Sequence, residues 1–94
     1  MDFTKVDNSF NAWASSSDIF IQREYKGEDV RSADILDINE KKWQLWLVPV
    51  NDENACVIHY WDYKKISKHA KVATSELLSE LSKIEAIIRA GELT

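Results

Sequence analysis

The stretch KKWQLWLVPVNDENACVIHYWDYKK, from Lys41 to Lys65, decides the fold of this chain. Two apolar runs flank NDEN at 51–54, a cluster of turn-forming residues, so the stretch reads as a β-hairpin. A symmetric turn sets Val48 opposite Val57, Trp46 opposite His59 and Gln44 opposite Trp61 on one face. On the other face Leu47 meets Ile58, Leu45 meets Tyr60 and Trp43 meets Asp62. A slip of one residue would exchange the two faces, because side chains alternate along a strand. Pro49 has no N–H to give a ladder, which places it near a strand end or with its nitrogen turned outward. Three of the four Trp and two of the three Tyr lie in this stretch. Both faces are therefore rich in large apolar groups, more than one buried face needs.

N-terminal to the hairpin, Phe3, Val6, Phe10 and Trp13 recur at steps of three and four and share one helical face. The spacing predicts a short helix over about 5–14, with Thr4 and Asp7 as a capping-box variant and the serines at 15–17 as its end. From Asp18 the period becomes two: Ile19, Ile21 and Tyr25 alternate with Gln22, Glu24 and Lys26. KGED then breaks the run, with Gly27 able to take positive φ, and VRSADILDI completes a second hairpin. C-terminal to the opening stretch, Ala73, Leu77, Leu81, Ile84 and Ile88 form one helical stripe flanked by Leu78 and Ile87. Thr74 or Ser75 suits the N-cap, Arg89 the last turn, and Gly91 the C′ position. This predicts a helix over 75–90. Residues 64–73 fit a helical turn, a loop or a short extra strand.

The order is thus α-β-β-β-β-α. Short connections imply an antiparallel four-stranded meander with a short N-terminal helix and a long C-terminal helix packed on the sheet, an α+β fold. At 94 residues the chain is read as one domain, 1–94. Few Gly and Pro (2 and 1) predict little loop, and one cysteine, Cys56, leaves no internal disulfide. No basic segment followed by an apolar run opens the chain, and no apolar run reaches the roughly 20 residues of a membrane span, so a cytoplasmic protein with no membrane partner is expected. The formal charge of -4 is uneven. Residues 1–40 hold nine acids against four bases, residues 41–73 three acids against six lysines, and residues 74–94 four acids against two bases.

Catalytic equipment is not visible. His59 is an odd number of residues from both Asp62 and Cys56, so on a strand it points away from each. His69 stands among lysines, and no H-x-x-x-H, C-x-x-C or EF-hand spacing occurs. Neither a cofactor nor a metal site is expected, and the chain is read as a non-enzyme. Lys64, Lys65, Lys68 and Lys71 beside Tyr60, Trp61 and Tyr63 combine basic and stacking groups, as a single-stranded nucleic-acid binder would. They form one patch in an acidic chain without Arg-rich or Gly-rich loops, which ranks nucleic acid behind protein as a partner.

The aromatic excess points to a protein-binding surface: one hairpin face builds the core, and the other meets a partner. The alternative is a three-layer domain with helices on both faces, burying all four Trp. Trp46, His59 and Trp61 are the expected contact residues, because Gln44 and His59 interrupt the apolar character of their face. Glu28, Asp29, Asp34, Asp37, Asp52 and Glu53 are the expected acidic contacts, steering a basic partner. Small size, acidic charge, aromatic surface and absent catalytic groups together resemble the general profile of bacterial immunity proteins and other inhibitors, a likeness of overall properties without a motif. It implies an inhibitor that caps a basic protein such as a toxin nuclease. The alternatives are a homodimeric structural domain and the nucleic-acid binder just described.

Overall fold

The computed structural model describes residues 3–52 and 54–91. Helix α1 (Thr4–Ser16) leads into strands β1 (Phe20–Lys26), β2 (Arg31–Leu36), β3 (Lys42–Val50), β4 (Ala55–Trp61) and β5 (Ser67–Ala73). A 3-10 turn (Thr74–Glu76) then opens helix α2 (Leu77–Ala90). The strands form one antiparallel sheet in the order β1-β2-β3-β4-β5.

The sheet has five strands where the sequence predicts four. The added strand is β5, SKHAKVA, whose polar content hides its period of two. Ser67, His69 and Lys71 pair with Trp61, His59 and Val57 on one face, while Ala70 and Val72 pair with Ile58 and Cys56 on the other. An edge strand needs only one half-buried row, and Lys68 and Lys71 on the rim oppose the addition of a further strand. Strand β1 forms the other edge and carries a bulge at Gln22, between Ile21 and Arg23.

The β3–β4 register is the one read from the NDEN turn: Gln44–Trp61, Leu45–Tyr60, Trp46–His59, Leu47–Ile58 and Val48–Val57. Both helices pack on the same sheet face, side by side, which excludes the three-layer alternative. The core joins Val6, Phe10 and Trp13 of α1 and Leu77, Leu81, Ile84 and Ile88 of α2 with Ala33, Ile35, Trp43, Leu45, Leu47, Ile58 and Tyr60 of the sheet. The α1 helix is fastened at two points. Trp13 Nε1 donates to Glu85 Oε1 of α2 at 3.2 Å. Arg31 donates to Asp7 at 2.9 Å and to the Gly27 carbonyl at 2.7 Å, with its guanidinium 3.7 Å from the centre of the Phe3 ring.

Helix limits differ modestly from the pattern. The α1 helix extends through Ser15 and Ser16, whose hydroxyl donates back to the Ala12 and Trp13 carbonyls. Phe3, not Thr4, stands at its N-cap, without a side-chain cap. Gly91 closes α2 at φ 78, its N–H on the Ile88 carbonyl. Gly27 does not take positive φ; its missing Cβ matters because the Tyr25 ring lies 3.0 Å from where that atom would stand. The left-handed conformations fall instead on Glu40, Asn51, Asp52 and Lys65.

Two of these sit in matching loops. In 37–41 the Asp37 Oδ1 accepts the N–H groups of Asn39 (2.8 Å) and Lys41 (3.0 Å), and Glu40 is left-handed. In 62–66 the Asp62 Oδ1 accepts those of Lys64 (2.9 Å) and Ile66 (3.0 Å), and Lys65 is left-handed. Each is a three-residue hairpin loop whose last residue makes a bulge. Both lie at the same end of the sheet.

Candidate functional site

The two helices cover one face of the sheet and leave the other bare. Strand alternation puts Tyr25 and Arg23 of β1, Ser32, Asp34 and Leu36 of β2, Gln44, Trp46 and Val48 of β3, Val57, His59 and Trp61 of β4, and His69 and Lys71 of β5 on that open face. Trp46 is 42% exposed and Tyr25 56%. Trp61 is half-buried, and both histidines are exposed.

The aromatic groups form a connected row across three strands. Trp46 opposes His59 and reaches diagonally to Trp61, with ring centres 5.5 Å apart. His59 stands edge-on to Trp61 at 6.0 Å and edge-on to its β5 partner His69 at 5.3 Å. Toward β1 the row ends in a shallow hollow of about 290 Å³ lined by Arg23, Tyr25, Ser32, Asp34, Gln44 and Trp46. Asp34 is half-buried there and accepts Gln44 Nε2 at 3.0 Å.

The structure separates the predicted acidic residues. Glu28 and Asp29 in the β1–β2 turn and Asp52 in the β3–β4 turn are exposed at one end of the sheet. Asp34 lies within the open face. Glu53 lies outside the described residues. Asp37, by contrast, is buried, and its carboxylate is taken by the Asn39 and Lys41 N–H groups and by Trp43 Nε1 at 2.9 Å. Burial by itself would raise this carboxyl, but the three donors and the Lys41 charge outweigh it and hold its pKa below the ordinary value. Two further acids of the first forty residues are paired internally, Asp7 with Arg31 and Asp18 with Arg89. Sequence position alone does not distinguish such acids from free ones, since each partner lies more than twenty residues away.

Lysines gather at the opposite end. Lys41 and Lys64 place their ammonium groups 5.4 and 5.6 Å from the Tyr63 ring centre, and Lys42 and Lys65 line a second hollow with Trp61 and Tyr63. The sheet thus carries acidic turns at one end and basic loops at the other.

Among the described residues, the Cys56 thiol and the His59 imidazole lie on opposite faces of the sheet. Cys56 is fully buried on the helix-covered face, and burial pushes its thiol up to about 11 despite a Val48 backbone hydrogen bond that works the other way. Tyr60, on the same face, is raised by burial and then by the Glu80 charge. His59 points to the opposite side from both. Among the described residues no group of three or more His, Cys, Asp and Glu could hold a metal ion, and no helix is long and apolar enough to cross a membrane. Comparison of the chain with protein-family models, curated proteins and solved structures finds no match.

Proposed function

We infer that this protein is a small binding module that docks another protein on the open sheet face, as an inhibitor of the immunity-protein kind capping a basic partner. The observation that carries the reading is the placement of both helices on one face. It leaves Trp46, His59 and Trp61 in contact with one another on a surface that the fold does not cover. Exposed, mutually packed Trp and Tyr lose little side-chain entropy on binding, and such residues dominate interface energetics. Asp34 within the face and Glu28, Asp29 and Asp52 at its acidic end supply complementarity to a basic surface, which acts on encounter rate and orientation. Lys41, Lys42, Lys64 and Lys65 at the other end set the direction in which such a partner lies.

The test is affinity capture of native partners with three forms of the chain: wild type, Trp46→Glu with Trp61→Glu, and Lys83→Glu on the outer face of α2. The expected result is a basic protein retained by wild type and by Lys83→Glu and lost by the Trp double variant. Equal retention by all three forms, or self-association as the sole product in sedimentation, overturns the reading.

A further inference from the structure

The geometry points to a two-histidine site for a borderline divalent cation (Zn²⁺, Ni²⁺ or Cu²⁺) formed by His59 and His69 at the β4–β5 edge of the open face. The two residues are direct cross-strand partners, so their Cβ atoms are held side by side by the sheet ladder. Their ring centres are 5.3 Å apart. An ion bonded to an imidazole nitrogen at about 2.0–2.1 Å lies roughly 3.2 Å from the ring centre, and a tetrahedral angle between two such bonds separates the centres by about 5.2 Å. The observed spacing therefore matches joint ligation without movement of the backbone. Both side chains are exposed, so χ rotation can aim a nitrogen of each at the ion. Among the described residues neither imidazole takes part in a hydrogen bond or an ion pair; the two rings meet each other, and His59 also meets Trp61 and its cross-strand partner Trp46.

The remaining coordination positions face outward, open to water or to a donor from a docked protein. Imidazole pairs favour ions of intermediate softness, with affinity rising from Mn²⁺ to Cu²⁺, and discriminate against Mg²⁺ and Ca²⁺. The sequence conceals the site because His59 and His69 are ten positions apart with a loop between them, and only the β4–β5 register brings them together. The site shares His59 with the proposed docking face but does not depend on that reading, since the purified chain alone suffices to test it.

Trp61, 6.0 Å from His59, is a built-in reporter. Purified wild type, His59→Gln and His69→Gln are titrated with Ni²⁺ and with Cu²⁺ while tryptophan fluorescence is followed, and Zn²⁺ is then added as a competitor. Both substitutions are at exposed positions, and circular dichroism checks that each variant folds. The expected result is saturable quenching at micromolar metal in wild type, reversed by excess Zn²⁺ and unaffected by Mg²⁺. Each variant should bind about tenfold more weakly or worse, because one ligand of the pair is gone. Quenching of equal affinity in wild type and either folded variant, or quenching that needs millimolar metal, overturns the assignment.

Discussion

Asp37 and Asp62 do the same job in two loops at one end of the sheet, and they differ in one contact. Each Oδ1 gathers two loop N–H groups, but only Asp37 also receives an indole N–H, from the buried Trp43. Asparagine reproduces one acceptor oxygen and turns an NH₂ toward whatever the second oxygen faced. Asp62→Asn should therefore change stability little. Asp37→Asn sets a donor against Trp43 Nε1 and should cost about 1–3 kcal/mol in urea unfolding. Equal loss in both variants would count against this account.

The same contacts give Asp37 a pH signature. Its pKa is lowered in the folded state, so the native chain binds its proton less readily than the unfolded chain does. The resulting stabilisation is complete above the ordinary carboxyl range and is lost as pH falls through the folded value, below about pH 4. Unfolding free energy measured from pH 6 to pH 2 should fall less steeply in Asp37→Asn than in wild type over the acid part of that range.

Glu40 and Lys65 close these loops in the left-handed region, at φ 62 and 64. A side chain there costs about 1–2 kcal/mol that glycine avoids, against a smaller entropic loss from the unfolded state. Lys65→Gly should raise stability by about 0.5–1 kcal/mol, seen as a higher urea midpoint at unchanged slope.

Leu81 is fully buried at the centre of the α2 stripe. Leu81→Ala should cost about 2–5 kcal/mol, a large part of the stability of so small a fold. Leu78→Ala, three positions earlier on the same helix and exposed, should stay within about 0.5 kcal/mol of wild type.

Cys56 should be inert in the native state. It is fully buried and its thiol is raised to about 11, so little thiolate is present near neutrality and none is reachable. Its labelling by a thiol reagent should follow global unfolding, with rates that track urea concentration; labelling at the rate of a free thiol in buffer contradicts the burial.

The basic loops allow a direct check of the nucleic-acid alternative. If Lys64, Lys65, Lys68 and Lys71 hold a single strand, anisotropy of a labelled oligonucleotide should show binding that weakens steeply with salt. No binding at low salt eliminates that role.

Local chemistry by itself determined much of this molecule. The turn at 51–54 and strict alternation on both sides set the β3–β4 pairing, because a slip of one residue would have turned Leu45, Leu47 and Ile58 out of the core. The α2 stripe and the Gly91 cap were legible for the same reason: a period of 3.6 and a left-handed terminus depend on neighbours in sequence. Strand β5 was ambiguous because its inward row is only Lys68, Ala70 and Val72, too weak a pattern until Ile58 and Cys56 are seen beside it. Tertiary structure alone decided that α1 joins α2 on one face, through Trp13 and Glu85, and so left Trp46 exposed and Trp61 half-buried on the uncovered face. It alone withdrew Asp37 from the surface and brought His59 against His69. Burial and cross-strand contact depend on which distant segments meet, and neither the charge of a residue nor its place in the chain carries that information.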